Sequence, residues 1–340
     1  MNYDAVIVVS FGGPEQPEDV MPFLENVLRG KNVPRERMLE VAEHYYEFGG
    51  KSPINEQNRN LIKALEAELA KHGPHLPIYW GNRNWHPMLA DTLRQMKADG
   101  VRRALAFVTS AYSSYSSCRQ YRENIESARE AIGEGAPIVD KIRAFHNHPN
   151  FVEAVMDHVR EALAKIPAER RDAAQLIYTA HSIPSMMAEG CDYEKQLMET
   201  GRLVAENLDR KNWRLVFQSR SGPATQPWLE PDILDCLRAL KGEGGGTDVV
   251  IAPIGFVSDH MEILFDLDTQ ARQLCEELGI NMVRAETVGT HPIFIRMIRE
   301  LISERLDETR PRLALGAMGP RPDVCPLGCC PMPRRPSTAT

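Results

Sequence analysis

Apolar runs of strand length alternate along this chain with longer segments in which apolar residues return every three or four positions. Residues 3–11, YDAVIVVSF, are almost continuously apolar, the pattern of a strand covered on both faces. In 17–30, Val20, Phe23, Leu24, Val27 and Leu28 share one face of a helix. Segment 55–73 repeats that period through Leu61, Ile62, Leu65 and Leu69 and stops at Gly73. A strand at 77–83, a helix at 88–100, a strand at 102–110 and a helix from 119 complete the first half. The second half predicts helices at 151–166, 193–209, 232–244, 260–279 and 292–308, with strands at 173–180, 214–219, 248–257 and 281–286.

Strands alternating with helices predict an α/β fold with parallel sheets flanked by helices. The number of elements predicts two lobes, at 1–145 and 146–310, followed by a Cys/Pro-rich tail at 311–340. The Gly-rich 241–248, KGEGGGTD, leads into a strand rather than a helix, so it reads as a surface turn and not a phosphate loop.

Composition narrows the function. The 340 residues are 43% hydrophobic and 26% charged, with a net charge of −7, which argues against broad nucleic-acid binding. The first 15 residues, MNYDAVIVVSFGGPE, lack the basic start of a signal peptide. No apolar run approaches the roughly 18 residues of a spanning helix. The expectation is a cytoplasmic protein, where clustered thiols more often bind metal than form disulfides. The seven cysteines, an odd number, agree with that.

In open parallel sheets, sites form beyond the carboxyl ends of strands. One predicted strand runs into His181. Another ends at Ser258-Asp259-His260, where Ser258 or Asp259 would cap the next helix, and Glu262 and Asp266 follow four apart on it. An imidazole and a carboxylate facing one cleft can bind a divalent metal and accept protons. Two ligands are too few for a closed structural site, which points to a transient or substrate metal. His260 has the simpler reading of a helix-start residue bonded to backbone. Two turn-rich loops, 216–232 with Arg220 and Trp228 and 44–55 with Ser52, have the character of cleft walls. In the tail, Cys325, Cys329 and Cys330 fall within six residues. Disulfide, zinc site, iron–sulfur cluster and an incidental tail all remain open for them.

Taken in order, SFGGPEQPEDVMPFLENVLRG, FGGKSPINEQN, GNRNW, TSAYSSYSSCRQY, TAHSIP, FQSRSGP…WLEPD and PIGFVSDHMEILFDLD resemble the ferrochelatases along nearly the whole chain. The resemblance is closest to the actinobacterial type, whose members act on coproporphyrin III. It implies two Rossmann-like lobes with a porphyrin cleft between them, and a lyase of haem biosynthesis that inserts Fe²⁺ into a porphyrin. His181 matches the family's catalytic histidine and Glu262 its partner carboxylate, both at the metal. Asp266 would continue a relay of acids, which breaks at Gln270. Ser52 and Tyr121 match porphyrin contacts, and Arg29 and Tyr45 fall near others. Phe11 stands where one branch of the family has a tyrosine ligand, and phenylalanine cannot ligate iron.

The resemblance also implies a [2Fe–2S] cluster held by Cys325, Cys329, Cys330 and, from the folded body, Cys118. Four thiolates would hold zinc equally well. Cys191, Cys236 and Cys275, in or near helical segments, read as ordinary buried or half-buried thiols. The expected partners are coproporphyrin III and Fe²⁺, with protoporphyrin IX as the competing substrate, and other haem-pathway enzymes. A porphyrin or haem carrier without catalysis is the alternative outside the enzyme class.

Overall fold

The computed structural model describes residues 2–31, 33–222, 225–243 and 247–332. Part of the predicted 241–248 turn, residues 244–246, lies outside the described residues. Four strands of the first half, β1 (Ala5–Ser10), β2 (Ile78–Asn82), β3 (Arg103–Val108) and β4 (Ile138–Lys141), form one parallel sheet in the order 2-1-3-4. The second half repeats that topology with β5 (Gln175–His181), β6 (Trp213–Gln218), β7 (Asp248–Ala252) and β8 (Asn281–Arg284), in the order 6-5-7-8. All pairings are parallel. The most apolar runs, β1 and β7, are buried at every position, as strands covered by helices on both faces require.

In both sheets the chain crosses from one side of its first strand to the other, which opens a crevice beyond the carboxyl ends of β1 and β3, and again of β5 and β7. One apolar core joins the two halves. It includes Val6 and Val8 of β1, Leu61 and Leu65 of the helix Ile54–His72, and Leu176 and Tyr178 of β5. The helices Pro149–Ala164 and Pro292–Leu306 contribute Phe151, Val155, Phe294 and Ile298 to the same core. A second contact between the halves is polar: Tyr112 Oη donates to Ile254 O at 3.0 Å, and Asp259 N donates to Gln57 Oε1 at 2.8 Å.

Several elements depart from the sequence reading, the short edge strand β4 and two helical stretches among them. A helix at Arg35–Glu47 takes up the first four residues of the 44–55 stretch, which reads as loop. The helix predicted through 260–279 is broken in its middle into a wide π stretch, Leu264–Ala271, between Met261–Ile263 and Arg272–Leu278. Such wide turns concentrate at functional sites.

Candidate active site

His181 is the last residue of β5, in register with Gln218 of β6. Glu262 follows the neighbouring β7, so the two meet at the crevice of the second sheet, with His181 Nε2 3.5 Å from Glu262 Oε1. The ring is held from behind. Its Nδ1 bonds the Ser182 carbonyl, and Tyr193 Oη donates to the His181 carbonyl at 3.0 Å. Gly255 lets the loop after β7 come this close, because a Cβ there would stand 2.5 Å from Ala180 Cβ.

His260 caps the helix that carries Glu262. Its Nδ1 accepts from Glu262 N at 3.2 Å, a role that Ser258 and Asp259 were free to take on spacing alone. Asp259 instead pairs with Arg284 at 3.0 Å, and Asp268 pairs with the same guanidinium at 2.8 Å. Asp266 stays at the site. Ser219 Oγ donates to its Oδ2, and Gln218 Nε2 reaches both that oxygen, at 3.3 Å, and Glu262 O, at 3.2 Å.

Charge is distributed unevenly over these groups. Burial works against an imidazolium at His181, but the Glu262 carboxylate overrides it and holds the pKa up to about 9. The partner effect is reciprocal: burial would raise Glu262, and His181 pulls it down to about 2. Both side chains still touch solvent, 33% and 45% exposed, so they line an open crevice rather than a sealed core. Burial, opposed by the Ser219 bond and reinforced by Glu262, pushes Asp266 up to about 6. Burial lowers His260. At neutral pH the metal-free pair is therefore an imidazolium beside a carboxylate, not the neutral imidazole that a base requires.

The opposite wall comes from the first half. Tyr45, on the helix Arg35–Glu47, feels both burial and the Glu262 charge, which raise its pKa. Beside it His44 stacks on Phe265 with ring centroids 3.7 Å apart. Phe23 meets Tyr45 edge-on at 5.9 Å and Phe11 at 6.2 Å. Phe11, just beyond β1, is 36% exposed. Tyr121 is buried under the Arg83 guanidinium, 4.5 Å from its ring centroid. Ser52 is buried, with its N–H on Pro14 O at 2.9 Å, and Arg29 is exposed in the turn after the helix Pro17–Val27. Trp228 is half-buried against Gly222, and Arg220 bonds Gln226 O at 3.1 Å.

A ferrochelatase family model matches residues 3–306. The chain belongs to the ferrochelatase family. A protein of Rhodopirellula baltica named ferrochelatase is 60% identical over 338 residues, covering 99% of this chain and 96% of its own. The coproporphyrin III ferrochelatase of Streptomyces coelicolor is 50% identical over 97% of this chain and 93% of its own. That of Nocardia farcinica is 49% identical over 100% and 99%. Among solved structures, the SirB protein of Bacillus subtilis with Fe³⁺ superposes with a TM-score of 0.55 at 12% identity, over 90% of this chain and 98% of SirB. That likeness is one of fold. This family member is thus a metal chelatase of the lyase class, built on the α/β fold that the strand–helix alternation predicts. Among the described residues, no helix is long and apolar enough to cross a membrane.

The ferrochelatase tail folds back onto the body through buried charge. Arg143 makes a two-pronged pair with Glu304, at 2.9 and 3.0 Å, and also donates to Leu313 O at 2.9 Å. Arg321 pairs with Asp192 at 2.9 Å, and Asp323 is clamped by Arg305 and Arg312. The result brings Cys325, Cys329 and Cys330 beside Cys118, which sits on a π turn at Tyr115–Arg119. All four line one cavity of about 150 Å³, together with Arg119, Arg122 and Lys141. Arg119 Nη1 donates to Cys329 O at 3.2 Å. A hydrogen bond from Cys325 holds the Cys118 thiol below its usual range, against burial, while Cys325 itself is raised by that bond. Cys329 and Cys330 Sγ stand 3.5 Å apart.

Among the described residues no group of three or more His, Cys, Asp or Glu is already arranged around an ion position. The donor chemistry nevertheless fits a thiolate-ligated group, with four thiols on one cavity and cations beside them. Cys236 and Cys275 are buried in an apolar cluster, as read from sequence. Cys191 is half-buried, within that reading. Burial is the main influence raising its thiol, yet Cys329 and Cys118 add to it, so it borders the tail cysteines.

Proposed function

We propose that this protein inserts Fe²⁺ into coproporphyrin III in the crevice between its two halves. The observation that carries this is the His181–Glu262 pair at a sheet crevice, faced by the aromatic wall of the other half. The relatives named for coproporphyrin III support the choice of substrate over protoporphyrin IX. Phe11, Tyr45, Ser52, Tyr121 and Arg29 form the porphyrin wall, with Arg29 suited to a propionate. His181 and Glu262 offer the nitrogen and oxygen that hold Fe²⁺ weakly enough to release it. The entering dication expels the proton held between them. Once Fe²⁺ has passed to the porphyrin, His181 is free to accept one of the two protons leaving the pyrrole nitrogens, and the other goes to solvent. Asp266, with a pKa near 6, takes protons on toward solvent.

The experiment is His181→Ala under anaerobic conditions. Iron insertion is lost while coproporphyrin III still binds, as read from the porphyrin's visible spectrum. Turnover at the normal rate overturns the assignment. A protein that binds porphyrin without inserting iron in its wild-type form is the carrier instead.

The tail is read as the site of a [2Fe–2S] cluster on Cys118, Cys325, Cys329 and Cys330. Such a cluster, when bound, supplies a one-electron couple. The chain's own residues do the docking: the Arg143–Glu304 and Asp323 pairs seat the tail, and Arg119, Arg122 and Lys141 favour thiolates. Protein isolated without air is then coloured and bleaches on reduction, whereas a colourless protein with one zinc per chain contradicts the cluster.

A further inference from the structure

Two helices of the core that joins the halves open on the same four-residue pattern. His148-Pro149-Asn150-Phe151 starts the helix Pro149–Ala164, and His291-Pro292-Ile293-Phe294 starts the helix Pro292–Leu306. In each, proline at the first helical position brings no N–H, and the histidine before it supplies the cap. His148 Nδ1 accepts from Asn150 N at 3.2 Å, and His291 Nδ1 accepts from Ile293 N at 3.3 Å. The two phenylalanines are fully buried and meet with ring centroids 6.2 Å apart. Nine positions after each cap comes an acid, Asp157 in the earlier helix and Glu300 in the later. The acids are exchanged between the helices. His148 Nε2 faces Glu300 Oε2 at 3.7 Å, and His291 Nε2 faces Asp157 Oδ2 at 3.5 Å, which requires the two helices to run antiparallel. Arg299 of the later helix also pairs with Glu68 of the first half at 2.8 Å.

The cap decides the tautomer. A neutral ring whose Nδ1 accepts a hydrogen bond carries its proton on Nε2, the nitrogen turned toward the acid of the other helix. A second proton can go only to Nδ1, where it ends the cap and sets a donor against the backbone N–H. Burial, then Arg143, holds the His148 pKa down to about 3. At His291, burial and then His158 outweigh the pull of Asp157, Glu161 and Glu153, and the pKa lies below its ordinary 6.5. The His158 ring stands 5.1 Å from that of His291, with its own Nδ1 3.2 Å from Glu161 Oε2. The charges around Glu300 are Arg296, Arg299, Glu304 and Glu68.

We propose that these exchanged histidine caps make the joint between the two halves proton-sensitive, firm at neutral pH and loosened when either ring takes up a second proton. Both rings hold that proton less tightly folded than unfolded. Their contribution to stability is therefore full above about pH 6.5 and is lost as pH falls below it.

The test is amide hydrogen exchange of the whole chain at Asn150 and Ile293, corrected for intrinsic rates, at about pH 7.5 and about pH 5.5. Wild-type protection falls by about tenfold at Asn150 and about threefold or more at Ile293 between the two. His291→Asn keeps an acceptor at the cap but cannot titrate, so protection at Ile293 stays near the wild-type value at about pH 7.5 and changes by less than about twofold at about pH 5.5. His291→Ala, without an acceptor, lowers protection at Ile293 by about threefold or more at both pH values. His148→Asn, read at Asn150, repeats the test at the second cap. A wild type whose protection does not fall, or a folded His291→Asn protein that keeps the wild-type pH dependence, overturns the proposal.

Discussion

Replacing Glu262 with Gln removes the charge that sets the protonation of His181 and leaves the shape nearly unchanged. At the observed 3.5 Å, a unit pair interacts by about 5 kcal/mol at an effective dielectric of 20 and about 1 kcal/mol in water. Side-chain exposures of 33% and 45% place this pair toward the screened end of those two figures, at roughly 1–3 kcal/mol. A loss of that size carries the His181 pKa from about 9 to about 7–8. The imidazolium then gives up its proton close to neutral pH. The assay is an NMR titration of the histidine Hε1 resonances, with His181 assigned by its loss in His181→Gln. A His181 resonance in Glu262→Gln that still titrates within about half a pH unit of wild type would refute the electrostatic account. The same substitution lowers iron insertion by about 100-fold or more, because a ligand for the dication is gone.

Other expectations follow from the same coordinates. Asp266 binds a proton more tightly folded than unfolded, with a pKa near 6 against 3.8. Its contribution to stability is present below about pH 3.8 and is lost as pH rises through about 6. Asp266→Asn is therefore expected to raise the urea midpoint at about pH 8 relative to that at about pH 4; an unchanged difference contradicts the shift. Gly255→Ala drives a methyl into Ala180, 2.5 Å away, and is expected to cost about 1–3 kcal/mol in urea unfolding, with His181 displaced. Arg143→Met strands the Glu304 carboxylate, whose side chain is 6% exposed, at a cost of about 3–5 kcal/mol. The double variant Arg143→Met/Glu304→Leu recovers most of that loss in the same assay. Cys118→Ser is expected to abolish visible absorption and lower Tm, and an unaltered spectrum would remove Cys118 from the ligand set.

Much of the architecture was legible because fully buried parallel strands write themselves as apolar runs. β1, β5 and β7, which carry the site at their ends, are of that kind. β4 was missed because it is a four-residue edge strand, IVDK, with no buried position. The helix Arg35–Glu47 was missed because only Ala42 is buried in it; its aromatics serve the crevice rather than a helical stripe. The pair His181 and Glu262 was visible from strand ends, but its ionisation was not, since that depends on a 3.5 Å approach between segments eighty residues apart. The π stretch at 264–271 could not be read from spacing, because an added residue in a turn leaves the composition unchanged. The helical context of Cys191 says nothing of the tail, whose Pro331 lies against the neighbouring Gly190.

The most direct test of the central claim is the anaerobic initial rate of Fe²⁺ insertion by the wild-type protein, with coproporphyrin III and protoporphyrin IX measured side by side as kcat/KM. The account predicts insertion into both or into coproporphyrin III alone, with coproporphyrin III preferred by about tenfold or more. Equal or faster insertion into protoporphyrin IX would contradict it.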